Sequence, residues 1–415
     1  MSLSSPSIAS GLSAFSLTGV GNTQANMAKY IQYLNAKIYG PSKVPNTIIG
    51  SYQTNNVSSS AYSGGVYSPT QNRIYFVPRF QASQLNWHYI DCNTGNVVAY
   101  ANGVTAVTGA YVGGVYSPTQ NRIYFVPFAQ GPQTNWHYID CNTGNVVAYA
   151  NGITTTNSAY WGGVYSPTQN RIYLVPSTQG VQTNWHYIDC NTGNVVAYAN
   201  GTTTASTMAY AGGVYSPTQN RIYFVPYSQA PLTNWHYIDC NTGNVVAYLN
   251  GASAVVQAYN GGVYSPTQNR IYFVPYNQAT QTNWHYIDCN TGNVVAYLNG
   301  ATGVVQDAYA GGVYSPTQNR IYFVPYNQTY NQTNQGIWHY IDCNTGNIIS
   351  YTDTTGAGLE TSGSYFGGSF SPTQNRIYFV PCGQGLGTNW HFLQDTSDVY
   401  PNLQLMASPQ FNNGL

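Results

Sequence analysis

Two residue pairs recur along this chain at spacings that could carry chemistry. The first joins an arginine to an aspartate 18 or 22 residues later: Arg73 with Asp91, Arg122 with Asp140, Arg171 with Asp189, Arg221 with Asp239, Arg270 with Asp288, and Arg320 with Asp342. A seventh arginine, Arg376, has Gln394 at the aspartate position and Asp395 one place on. Paired opposite charges can tie one chain segment to another, and removing one member of a buried pair costs about 3–5 kcal/mol. They can also hold a charged ligand, but the expected use is structural, a contact that ties the second strand of each repeat to the turn after the third.

The second pair is Trp-His, at Trp87-His88, Trp136-His137, Trp185-His186, Trp235-His236, Trp284-His285, Trp338-His339 and Trp390-His391. In a strand, neighbouring side chains leave opposite faces. Such a pair either packs two layers or offers an indole for a sugar to stack on. Seven separate histidines without a second ligand at metal spacing do not make a metal site. Asp91-Cys92-Asn93-Thr94-Gly95 starts like a calcium loop but lacks the later acidic ligand. An Asx-type turn accounts for it better.

Catalysis needs convergent titratable groups with separated roles. The acids outside the repeated series are Asp307, Asp353, Glu360, Asp395 and Asp398, and none has a histidine of its own nearby in sequence. With no nucleophile motif, phosphate loop or metal cluster in view, the expectation is a protein that is not an enzyme and needs no cofactor.

What must position these residues is a repeat. The stretch Gly64-Gly65-Val66-Tyr67-Ser68-Pro69-Thr70-Gln71-Asn72-Arg73-Ile74-Tyr75-Phe76-Val77-Pro78 returns seven times, with its arginines 49, 49, 50, 49, 50 and 56 residues apart. A fixed period of this size means a solenoid, a propeller or an array. Each copy offers four short runs rich in Val, Ile, Tyr, Phe and Trp: Gly65–Ser68, Arg73–Pro78, Trp87–Cys92 and Val97–Ala101 in the first. Turn sequences cut them, and no helical period intervenes. Four antiparallel strands in such a length is one propeller blade, so the expected fold is all-β, a seven-bladed β-propeller.

The runs Ile90-Asp91-Cys92-Asn93-Thr94-Gly95-Asn96-Val97-Val98, Gly64-Gly65-Val66-Tyr67-Ser68-Pro69 and Arg73-Ile74-Tyr75 resemble the YVTN-type β-propeller repeat. The likeness covers about residues 46–395. It implies the propeller fold and, because such repeats are known from surface-layer and related proteins and from protist and giant-virus propellers, a structural role.

The last copy lacks the Val-Val-Ala-Tyr strand, and Asn46-Thr47-Ile48-Ile49-Gly50-Ser51-Tyr52 supplies its like at the other end. The N-terminal strand should therefore close the last blade and cover two open edges. In an up-and-down blade, the Ser-Pro-Thr-Gln-Asn and Cys-Asn-Thr-Gly-Asn turns share one face. The blade-to-blade variants, such as Arg79–Asn86 and Val104–Val112, share the other. The expected disc has one regular and one varied face.

Outside the propeller at 46–395, residues 1–45 read as an arm with a short helix over about 23–39, and residues 396–415 as a tail. Met27, Ile31, Leu34 and Ile38 form one apolar stripe on that helix, which a lone helix cannot bury on itself. Arm and tail are thus expected to dock on the ring or on another copy and support self-association. Charged residues make up 5% of the chain and the net charge is zero, which speaks against nucleic acid. No apolar run reaches membrane-span length. The first charge is Lys29, so a standard signal peptide is not visible.

Six cysteines share one repeat position, Cys92, Cys141, Cys190, Cys240, Cys289 and Cys343. Their even spacing around a ring places them too far apart to bridge, and free buried thiols suit synthesis in a reducing compartment. Cys382 stands outside that series, in a varied loop, and is expected at the surface. The functional expectation is a non-catalytic, self-assembling component of a surface layer, filament or virus-like particle. The alternative is a multivalent lectin that binds glycans through its repeated aromatic and amide groups.

Overall fold

The computed structural model describes residues 47–53, 57–201, 205–252, 254–278, 280–328, 337–352, 363–386 and 389–395. The expected helix at about 23–39, with Met27, Ile31, Leu34 and Ile38, and the tail at 396–415 lie outside the described residues.

The strands form seven antiparallel sheets of four. In the first blade they are Tyr62–Ser68, Arg73–Pro78, Asn86–Asp91 and Val97–Ala101, from inside to outside. The seventh blade takes its first three strands from Tyr365–Ser371, Arg376–Pro381 and Asn389–Asp395, and its fourth from Thr47–Gln53. The ring is closed by the N-terminal strand, as the displaced sequence implied.

The innermost strand starts three residues before the Gly65 that the sequence pattern suggested. Its register slips between Tyr62 and Gly65, a bulge repeated in every blade. The bulge is made by Gly64 and its equivalents, whose φ lies between +75° and +101°. A Cβ on Gly367 would sit 3.1 Å from the Cα of Gly64, and one on Gly64 3.6 Å from that of Gly113. Blades meet here backbone to backbone, which only glycine permits.

Hydrophobic cores lie between blades. Trp87, Tyr75 and Val77 of blade one pack on Tyr111, Phe125 and Ile139 of blade two. Tyr378, Val380 and Trp390 of blade seven pack on Tyr62, Phe76 and Ile90 of blade one. Each blade thus buries one side against each neighbour, and no blade owns a complete core.

The Ser-Pro-Thr-Gln-Asn turns are linked in a circuit. Thr70 Oγ1 donates to Asn121 Oδ1 at 3.0 Å, Thr119 to Asn170 at 2.7 Å, Thr168 to Asn220 at 2.9 Å and Thr218 to Asn269 at 2.7 Å. Thr267 donates to Asn319 at 2.6 Å, Thr317 to Asn375 at 2.8 Å, and Thr373 returns to Asn72 at 2.7 Å. Every receiving asparagine has φ near +52°, a left-handed position that asparagine tolerates better than most residues.

Candidate functional site at the axial mouth

Each candidate of the repeated series has a definite place in the blades. Arg73 and Asp91 are cross-strand partners in register, as are the other five pairs. Their charged ends nevertheless turn to different partners. The Arg73 guanidinium lies 4.3 Å over the Tyr89 ring and donates from Nη1 to the Tyr75 hydroxyl at 3.3 Å. Asp91 Oδ1 accepts from the backbone N–H of Asn93 at 2.9 Å, closing the Asx turn. Burial pulls the guanidinium pKa down, but Tyr75, then Tyr89 and last Asp91 carry it above its ordinary value. The expected Arg–Asp tie is therefore mainly an Arg–Tyr stack beside a separately capped turn. In blade seven Arg376 lies 4.4 Å over Phe392, so the stack survives where the aspartate is missing.

The seven Trp-His tryptophans are fully buried. Trp87 meets Phe125 of the next blade edge-on at 5.8 Å, and its indole N–H donates to the Gln81 carbonyl at 3.1 Å. They are inter-blade packing, inaccessible to a sugar without parting the blades. His88 turns the other way, and its Nδ1 shares a hydrogen bond with the Tyr62 hydroxyl. In blade six, His339 Nε2 is 3.1 Å from the Thr302 carbonyl, so Nε2–H donates there and Nδ1 accepts from Tyr309. Burial lowers His88, His137, His186, His236 and His339 to about 4.

The repeated cysteines are buried free thiols, with burial raising the pKa of each. Cys382 is buried too, at 3% exposure, contrary to the surface position its loop suggested. Its N–H donates to the Ser364 carbonyl and its own carbonyl accepts from Ser60 N–H. The loop is stitched to the blade before it leaves. Among the described residues there is no group of three His, Cys, Asp or Glu side chains that could hold a metal.

The place where unlike side chains converge is the channel mouth on the varied face, which the repeat pattern did not single out. Two positions per blade build it: the residue after the second-strand proline, and the residue after the first-strand tyrosine. The former donates its N–H to the carbonyl two residues before that tyrosine's successor, as Arg79 does to Ala61 at 2.8 Å and Tyr227 to Ala209 at 2.9 Å. This backbone bond fixes both positions beside the axis. Read around the ring, the first position is Arg79, Phe128, Ser177, Tyr227, Tyr276, Tyr326 and Cys382. The second is Ser63, Val112, Trp161, Ala211, Asn260, Ala310 and Phe366. Where the first is small, at Ser177 and Cys382, the second is a large aromatic ring, so every blade contributes one large side chain.

These seven touch in order. Centroid separations are 5.8 Å for Phe128–Trp161, 5.6 Å for Trp161–Tyr227, and 6.0 Å for Tyr227–Tyr276, Tyr276–Tyr326 and Tyr326–Phe366. The Arg79 guanidinium completes the ring, 6.0 Å from Phe366 and 5.8 Å from Phe128. Trp161 also reaches Phe366 across the axis at 6.3 Å and so closes the channel.

Arg79 is the one cation after residue 43 that lies outside the repeated arginine series. Asp307, whose carboxyl burial raises, faces it from the other side of the mouth, next to Ala308, whose N–H donates to the Tyr276 carbonyl at 3.2 Å. Burial, then Asp307, then Tyr326 push the Tyr227 hydroxyl up to about 12. Burial and Asp307 also raise Tyr276, against the pull of Arg79. Among the described residues, four buried polar atoms here have no hydrogen-bond partner: Arg79 Nε, Trp161 Nε1, Ser63 Oγ and Ser177 Oγ. Two of them are obligate donors.

No protein-family model matches the chain, and no curated protein does. Solved structures match at the level of fold. The extracellular domains of two putative hybrid two-component systems from B. thetaiotaomicron align with a TM-score of 0.55 at 9% and 10% identity, over 84% of this chain. U3-55K aligns with a TM-score of 0.55 at 7% identity, over 83% of this chain and 98% of its own length. The chain spans only 40% and 42% of the two extracellular domains. At such identities the likeness shows the propeller fold and nothing finer.

Proposed function

We propose that this protein is a non-catalytic propeller that self-associates as a unit of a surface layer, filament or particle. The observation that carries this is the rim. Each blade ends in an edge strand: Val97–Ala101, Val146–Ala150, Val195–Ala199, Asn244–Leu249, Val294–Leu298, Ile348–Thr352 and Thr47–Gln53. None holds a charge or a proline, the devices by which monomeric sheets block edge-to-edge pairing. Leu249 and Leu298 are each 80% exposed on this rim, and Leu85 is 82% exposed in the loop beside it.

Further support comes from the near absence of charge elsewhere, the apolar stripe Met27, Ile31, Leu34 and Ile38, and the resemblance to the YVTN-type repeat. The lectin alternative gains nothing from Trp87 and its equivalents, which are buried. The non-catalytic part rests on the distribution of titratable groups: most are structural and seven-fold repeated.

The test is electron microscopy and sedimentation of the full chain beside a variant with Ala99, Ala148, Ala197, Ala247 and Ala296 changed to Lys. These alanines point outward on the edge strands. The native protein should form rings joined into tubes, sheets or chains, and the variant should give single rings with an unchanged β-sheet spectrum. A native protein that stays monomeric at high concentration, or a variant that assembles as before, overturns the reading.

A further inference from the structure

We propose that the axial mouth on the varied face binds an acidic monosaccharide unit, its carboxylate held by Arg79 and Trp161. This inference does not depend on self-association, since it concerns a site on a single ring.

The first argument is the break in symmetry. Blades that repeat almost residue for residue contribute six different combinations at the two mouth positions, Tyr with Ala alone occurring twice, while each blade still supplies one large side chain. Packing alone would be met by seven tyrosines. The chain instead places its one unrepeated cation there after residue 43, in a sequence that is 5% charged.

The second argument is polarity. Arg79 Nε and Trp161 Nε1 are buried donors with no acceptor among the described residues, and both side chains touch Phe128 and Phe366. Leaving such a donor unmade costs about 1–3 kcal/mol. Both residues are only part-buried as a whole, so a rotation of each side chain would bring its donor to an oxyanion offered from the open side, and a guanidinium favours a planar carboxylate. A single cation balances a single negative charge, which suits a carboxylate better than a phosphate dianion.

The third is the rest of the mouth. Aromatic faces accept the apolar face of a sugar ring, and the Tyr276 and Tyr326 hydroxyls can meet sugar hydroxyls. Asp307, at the opposite pole beside Tyr276, accepts from hydroxyls and disfavours a second negative charge. The ligand is therefore singly anionic at one end and hydroxyl-rich at the other.

The test is a titration of the full-length protein with glucuronate, followed through the indole N–H resonances in NMR. The eight tryptophans include seven that are buried between blades and Trp161, whose signal is assigned by its loss in Trp161→Phe. Glucuronate should shift that one resonance saturably and leave the other seven in place. Arg79→Gln should weaken the affinity by about 10- to 100-fold, the worth of a charge-assisted hydrogen bond. Asp307→Asn should keep or improve it, and serves as the folded comparator if Arg79→Gln is unstable. Glucose and benzoate separate the two halves of the ligand, and both should bind more weakly than glucuronate. No saturable shift, equal binding of glucose, equal binding of benzoate, or strong loss in Asp307→Asn would each overturn the proposal.

Discussion

On one face of the ring, seven identical turns are joined by Thr-to-Asn hydrogen bonds of 2.6–3.0 Å that run around the whole circumference. On the other face, seven large side chains of four kinds converge on the axis, and donors at Arg79 and Trp161 stay unpaired. The same strands lead to both faces. A turn that hydrogen-bonds to its neighbour's turn constrains the residue types of both, so the first face repeats. Side chains meeting at an axis need only fill a fixed space between them, so the second face is free to vary, and variation is what recognition requires. The regular face therefore reads as the part that holds the ring in register and the varied mouth as the part that discriminates.

The strongest way to break this contrast is acid. Histidines paired with first-strand tyrosines all sit in the varied half of the disc, whereas the regular turns contain none. Five have folded pKa values near 4, below the unfolded value of about 6.5. Their contribution to stability is fully present above pH ~6.5 and is lost as pH falls through about 4, on the order of 3 kcal/mol per histidine. Melting temperature should fall steeply between these limits. Hydrogen exchange at pH 4.5 should show protection lost first at Tyr62, Tyr111 and their equivalents, and later at the Thr–Asn turns. A flat stability profile from pH 7 to 4 would remove the distinction.

A smaller effect separates the two kinds of tryptophan. Trp87→Ala empties a fully buried inter-blade position and should cost about 3–5 kcal/mol in chemical denaturation. Trp161→Ala opens the mouth rather than a core, and should cost about 1 kcal/mol while abolishing any mouth binding. Equal costs would mean that the mouth is simply another core layer.

The smallest expected effect tests the circuit. Thr218→Val removes one hydrogen bond to Asn269, and a single such bond is worth about 0.5–1.5 kcal/mol. Combining it with Thr373→Val, on the other side of the ring, should give additive losses if each link acts locally. A pair that costs clearly more than the sum would show that the circuit acts as one unit.

Much of the fold was legible because it rests on local rules repeated seven times. The 49- and 50-residue steps, the Asn-Thr-Gly-Asn turns and the displaced N-terminal strand depend on spacing and turn chemistry, which sequence displays directly. The Trp-His alternation likewise announced two opposite faces, and the structure gives Trp87 to the next blade and His88 to its own Tyr62. Side-chain choice among available partners was not legible. Arg73 and Asp91 stand opposite one another in register, yet the flat guanidinium finds a nearby Tyr89 ring and the carboxylate finds an open turn. Sequence could name the two charges but could not rank their competing partners. The mouth is the clearest case of what tertiary structure alone decided. Ser177 with Trp161, and Cys382 with Phe366, look like unrelated irregularities along the chain. They become one compensation only when ring closure brings seven blades to a common axis, because a space shared by all blades is a property of none of them singly.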